Sequence, residues 1–126
     1  MSIPNNLKYT KEHEWVLVEG NIGTIGVTDY AQGELGDVVF VDIDPALAVV
    51  KKGSSIGTIE AVKTVSDIFA PFSGKVVEIN ENLKDNPESV NSDPYGNGWM
   101  LKVEISDASE LNDLLDSSAY QALIGQ

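Results

Sequence analysis

The chain has no cysteine among its 126 residues, which removes disulfide frameworks, thiolate metal sites and cysteine nucleophiles together. Histidine occurs once, at position 13. It has no partners at metal-ligand spacing and no nucleophile arrangement, so a hydrogen-bonding or solvent-edge role outweighs a catalytic one. Arginine is missing too: all 8 basic residues are lysines, against 20 Asp and Glu, for a formal charge of -12. Phosphate contacts need clustered Lys and Arg, so nucleic acid and anionic membranes are not expected partners. The acidity serves solubility, or steers encounters with basic docking surfaces. No apolar stretch approaches the length that spans a bilayer. The opening residues 1–6 carry neither a basic n-region nor an Arg-rich transit pattern. The expected location is the cytoplasm.

What the chain does have is a series of short β-like runs. A length of 126 residues suits one domain, residues 1–126, with one modest core. Strands are expected at 15–18, 22–27, 38–43, 56–61, 65–70, 75–79 and 99–105, each bounded by turn residues. The glycines of Ile22-Gly23-Thr24-Ile25-Gly26-Val27 mark bulges or close backbone approach. Many short strands at regular spacing indicate a sandwich or barrel. Gly-x-Val-Val occurs at Gly36 and at Gly74, too few copies for a repeat. Two helical pieces interrupt the pattern. Thr28 is a candidate N-cap for a helix that stops at Gly36. Asp107-Ala108-Ser109-Glu110 has capping-box spacing, with Leu111, Leu114 and Leu115 on one helical face. These leucines are expected to close one end of the core. Ser118–Gln121 starts a last short helix.

Lys63 is the most informative residue. It stands between two apolar, β-branched runs, Ile56–Ala61 and Val65–Ala70, which read as a hairpin with the lysine at its reversal. A lone hairpin lysine is usually a solubilising charge. Here the neighbours add information, because Val62 and Thr64 flank the amine without charge while Glu60 and Asp67 stand further out. A free lysine amine titrates near about 10.4 and is protonated at neutral pH. A separate enzyme would therefore have to deprotonate it during any acylation.

The pattern Glu60-x-x-Lys63, then Ser66-Asp67 and Ala70-Pro71-x-x-Gly74, resembles the attachment site of a lipoyl-carrying domain. Further blocks resemble the H-protein family of the glycine cleavage system. They are Tyr9–Trp15, Gly26–Gln32, Leu35–Val41, Ala70–Asn80 and Asn91–Trp99, which together with the hairpin cover most of the chain in order. The resemblance implies a mainly β fold, the barrel-sandwich hybrid of lipoyl and biotinyl carriers, with short helices and a C-terminal helix. It implies lipoate attached to Lys63 as a lipoyllysine amide. It also implies a carrier that performs no chemistry alone and is not an enzyme. The implied partners are a glycine decarboxylase with pyridoxal phosphate, a tetrahydrofolate-dependent aminomethyltransferase and dihydrolipoyl dehydrogenase. A lipoate ligase or a lipoyl or octanoyl transferase would attach the group. The arm would take the aminomethyl group of glycine, deliver it and be reoxidised. No metal is implied. A chain without thiols would not trap such a disulfide by exchange.

Glu14 matches a family position near the cleft where a loaded arm docks, and a carboxylate there would meet a cationic aminomethyl group. Asp67 serves the same cleft or the attaching enzyme. The plainer alternatives are a strand-edge carboxylate at 14 and a turn-setting one at 67. Trp15 and Trp99 are expected in the core. The chain departs from the family in three places. Ile43-Asp44-Pro45-Ala46-Leu47-Ala48 replaces the usual Leu-Pro-Glu-x-Gly loop. Glu60-Ala61-Val62-Lys63-Thr64 replaces Glu-Ser-Val-Lys-Ala. Tyr30 stands where many relatives have histidine. Three other readings compete: a lipoate-relay protein that donates to other enzymes, a biotin carrier, and an unmodified scaffold. A biotin carrier would show Ala-Met-Lys-Met, and Val62 and Thr64 disfavour it.

Overall fold

A computed structural model describes residues 2–126. Among these residues, nine strands form two antiparallel sheets. The larger has the order β1 (Lys8–Tyr9), β2 (Glu14–Glu19), β3 (Ile22–Val27), β9 (Leu101–Ile105), β8 (Gly74–Ile79), β5 (Val49–Val50). The smaller has the order β4 (Val38–Asp42), β6 (Ser55–Ala61), β7 (Val65–Phe69). Neither sheet closes on itself, and the fold is the expected barrel-sandwich hybrid with a few short helices.

One core lies between the sheets. Val16 and Ile25 face it from β2 and β3, Ile59 and Ile68 from β6 and β7, and Phe72, Met100 and Val103 complete it. Burying a side chain of this size contributes about 1.5–3 kcal/mol, so this cluster carries most of the fold's stabilisation. A second cluster gathers Leu7, Tyr9, Trp15 and Tyr120 at one end of the large sheet. Trp15 is buried there and donates its indole N–H to the Pro94 carbonyl at 3.0 Å, while Trp99 is half-buried against it. The close approach expected of the β3 glycines is visible at Gly26, where an added methyl would lie 2.6 Å from the Trp15 ring.

Helix α1 (Asp29–Leu35) begins as expected, with the Thr28 hydroxyl accepting from Ala31 N–H at 3.1 Å, and ends at Gly36. Two one-turn helices follow β8, α2 (Asn82–Asp85) and α3 (Ser89–Ser92). The segment after β9 departs from expectation. It is a 3-10 helix over Ala108–Asp113, and no capping box forms. Asp107 accepts from Ser109 N–H, but Glu110 turns away and accepts from Ser73 N–H at 2.7 Å and Ser73 Oγ–H at 3.1 Å. Leu111 and Leu114 then pack on the main core, whereas Leu115 is extended, bridges to Tyr9 and joins the second cluster. The chain ends in α4 (Ser117–Leu123), capped by Asp116, which places Tyr120 inside that cluster.

Candidate functional site

β6 and β7 pair antiparallel from Ser55↔Phe69 to Glu60↔Val65, leaving Val62, Lys63 and Thr64 to make the turn. The reversal is closed by Ala61 N–H donating to Thr64 O at 2.8 Å. It is tied to the α1–β4 connector by Val62 N–H donating to Asp37 O at 3.0 Å. Asn91 on α3 fixes that connector: its amide donates to Gly36 O at 2.8 Å and its carbonyl accepts from Val38 N–H at 2.8 Å. The tip therefore rests on a clamped support. Lys63 itself is exposed, as is Val62 at 76%, and Lys63 joins none of the ion pairs among the described residues.

The lysine stem passes over Gly36, where an added methyl would stand 3.3 Å from Lys63 Cε. Gly36 has φ 80 and ψ -157, a conformation open almost only to glycine. A bulge between Val38 and Phe40 leaves both Val39 and Phe40 exposed, and register sets Phe40, Glu60 and Val65 in one row across the small sheet. The hairpin tip thus carries an amine beside apolar side chains, with carboxylates further out.

Next to this support lies a cavity of about 270 Å³, walled by the 12–14 segment, α1, β6 and β7. Its polar lining includes Glu12, His13, Glu14, Glu34 and Asp67, with Leu35 and Ile59 among the apolar residues. Four carboxylates and no lysine line it, which suits a slim ligand with a cationic end.

Glu14, 2% exposed, is the best fixed of the four. One carboxylate oxygen accepts from Thr10 Oγ–H at 2.6 Å, the other from Phe69 N–H at 3.3 Å. Burial pushes its pKa up, partly countered by those two hydrogen bonds, while Glu12 adds repulsion. Its buried place on β2 sets aside the strand-edge reading. Asp67 lies within β7, paired with Thr58, and accepts from Ser55 Oγ–H at 3.3 Å. It borders the cavity without taking part in the turn. Glu14 and Asp67 therefore meet at the cavity, while Lys63 lies outside its lining, with its stem over Gly36, the chain neighbour of the lining residue Leu35.

Sequence reasoning left His13 as a generic hydrogen-bonding residue and passed over Tyr120. His13 has φ 71, the only non-glycine residue with positive φ among those described. Its Nδ1 lies 2.9 Å from the Tyr120 hydroxyl, and its ring sits 4.9 Å from that of Tyr30. Burial pulls its pKa down against the opposing pull of Glu12 and Glu34. Nothing local in residues 118–121 signals this contact, because the two partners come from opposite ends of the chain.

The model of the family described as Glycine cleavage H-protein matches residues 7–126. A glycine cleavage system H protein of Staphylococcus haemolyticus (strain JCSC1435) is 56% identical over 126 residues, covering 100% of both chains. The crystal structure of a glycine cleavage system H protein from Mycobacterium marinum superposes with a TM-score of 0.90 at 37% identity. That likeness covers 98% of this chain and 100% of the other. With one carrier-like fold, an exposed hairpin lysine and these full-length likenesses in agreement, the chain belongs to the glycine cleavage H-protein family, whose members carry lipoate as shuttles of the glycine cleavage system.

Proposed function

We propose that Lys63 is the residue that carries lipoate in this chain, and that residues 1–126 act as one carrier domain around it. The observation behind this is the hairpin tip. It is a clamped reversal holding an uncharged-flanked, exposed lysine whose stem crosses a glycine with no Cβ in the way. The residues fit the group, since an amide at Nζ removes a charge that no carboxylate is paired with in the ion pairs of the described residues. Once attached, lipoate supplies a disulfide end that can accept an aminomethyl unit and later be reoxidised.

The protein's own residues then do three things. The turn holds the attachment point clear of both sheets. The missing side chain at Gly36 leaves room for the lysine stem, which lies 3.3 Å from where a Cβ would stand. The cavity offers Glu14, oriented by Thr10 and Phe69, to a cationic cargo, with Asp67, Glu12 and Glu34 adding to the field. A charge-assisted contact of this kind is about twice as strong as a neutral one, so cargo is sheltered between partners. Those partners are glycine decarboxylase, the aminomethyltransferase, dihydrolipoyl dehydrogenase and the attaching ligase or transferase. The carrier itself makes and breaks no bonds in this scheme.

Intact mass and peptide mapping, on protein from cells supplied with lipoate, test the assignment. A lipoyl increment confined to the Lys63 peptide, and lost in Lys63→Arg, is expected. An increment that persists in Lys63→Arg, or a biotinyl increment, would overturn it.

A further inference from the structure

The hydroxyls of Thr28 and Tyr120 and the Nδ1 of His13 form one continuous chain, with steps of 2.7 Å and 2.9 Å. It runs from the N-cap of α1 through the C-terminal helix to the cavity wall. The direction of its protons follows from counting donors. The Thr28 hydroxyl is fully buried and already accepts from Ala31 N–H. Its one proton has a single recorded neighbour among the described residues, the Tyr120 oxygen. Tyr120 then gives its own proton to His13 Nδ1, and the imidazole keeps its proton on Nε2. The reverse order would leave the Thr28 proton buried without an acceptor, an arrangement that native structures rarely tolerate.

A second observation points to the same residue. His13 sits in the left-handed region, which a side chain with a Cβ adopts at a cost and which persists only when its surroundings over-determine it. Here its N–H donates to Thr10 O at 3.2 Å and its carbonyl accepts from Thr28 N–H at 3.0 Å. Backbone and ring are thus both held, and the ring lines the cavity.

We infer that Tyr120 is a positioning residue of the arm cavity, holding His13 neutral with its proton on Nε2 so that the wall stays anionic toward a cationic cargo. The functional half of this rests on the cavity being the docking place proposed above. The tautomer half stands without it. The titratable groups that share the cavity wall with His13 or meet its ring are Glu12 and Glu14 on its own segment, Tyr30 and Glu34 on α1, Asp67 on β7 and Tyr120 on α4. The carboxylates favour an imidazolium. Burial and the proton order of the chain oppose it, and the net displacement of the histidine is downward. The phenol is pushed up to about 12 by its own burial, so it remains a donor throughout.

His13 is the sole histidine, so its imidazole nitrogens are directly assignable by NMR in the unmodified protein. The wild-type protein is expected to show the Nε2–H tautomer and a depressed midpoint. Tyr120→Phe keeps the ring stacked on Tyr9, whose centroid lies 4.6 Å away, and removes only the hydroxyl. The imidazole then loses the donor that favours its neutral form, so the midpoint rises toward the ordinary value. In the lipoylated, aminomethyl-loaded variant, the cargo is expected to be lost roughly fivefold faster at pH 6, the order expected when an imidazolium faces a cationic cargo across water. It is lost at the wild-type rate at pH 8. Tyr95→Phe removes a phenol outside the chain and leaves the imidazole unchanged. A wild-type Nδ1–H tautomer, an unmoved midpoint in Tyr120→Phe, or an equal shift in Tyr95→Phe would overturn the tautomer assignment. A normal tautomer response with unchanged cargo lifetime at both pH values would overturn the link to the cavity.

Discussion

A methyl group on Gly36 would stand 3.3 Å from Cε of Lys63, so a helix C-cap and a hairpin tip far apart in sequence share one small volume. Gly36 thereby serves two purposes. It ends α1 in a conformation other residues avoid, with its N–H donating to Gln32 O at 3.0 Å, and it leaves the lysine stem a bare surface to cross.

Gly36→Ala is therefore expected to destabilise the fold by about 1–3 kcal/mol, the cost of a backbone region that is essentially glycine-only. The contact with the lysine adds little, because the end of a long side chain can yield. Gly33→Ala gives the opposite sign. Gly33 lies inside α1, where a Cβ meets nothing within 4 Å, and alanine is favoured over glycine in a helix by about 0.5–1 kcal/mol. Urea unfolding of both variants checks the pair, and equal effects would show that the backbone at position 36 is not strained.

Glu14→Ala should leave attachment at Lys63 intact while the aminomethyl-loaded form loses its cargo roughly tenfold faster or more. That is the factor expected for removing a hydrogen bond to a charged group. The lifetime of the loaded form, followed by mass spectrometry, is the readout. An unchanged lifetime removes Glu14 from the mechanism.

The raised pKa of Glu14 also fixes a sign for stability against pH. Its native value lies above its unfolded one, near 4.5, so between the two the native state holds more protons. Its contribution is fully present below the unfolded value and is lost as pH rises through the native one. Measured across pH 4 to 8, the unfolding free energy of wild type should fall relative to that of Glu14→Gln as pH increases. Parallel curves would contradict the burial argument.

The legibility of this chain was uneven for physical reasons. Strand β3 was read to its ends, and β2, β4, β6, β7 and β8 to within a residue, because alternation and turn residues are local signals. Strands β1 and β5 were missed: two residues each cannot show a period, and they exist because a neighbouring strand offers them a partner. The one-turn helices α2 and α3 are equally short, yet Asn91 on α3 holds the support under Lys63. Lys63, Glu14 and Asp67 came from motif resemblance. Tyr120 and its link to His13 depend on α4 folding back across the molecule, which no spacing encodes.

Glu110 shows the same limit and allows a direct test. Asp107-x-x-Glu110 has the spacing of a capping box, but the carboxylate accepts instead from Ser73 N–H and Oγ–H at the β7–β8 connection. Ser73 Oγ in turn accepts from Lys52 N–H at 2.9 Å, so three separate segments meet at one serine. Removing the carboxylate leaves the part-buried Ser73 N–H without its partner. Glu110→Ala is therefore expected to cost about 1 kcal/mol in urea unfolding, the net worth of a part-buried hydrogen bond. Ser109→Ala removes a hydroxyl that serves only its own turn, donating to Asp107 at an exposed site, and should cost less than about 0.5 kcal/mol. Were Glu110 acting as a helix cap, both variants would loosen the same turn and hydrogen exchange would rise there first. A clip between segments predicts instead that exchange in Glu110→Ala rises first at Ser73.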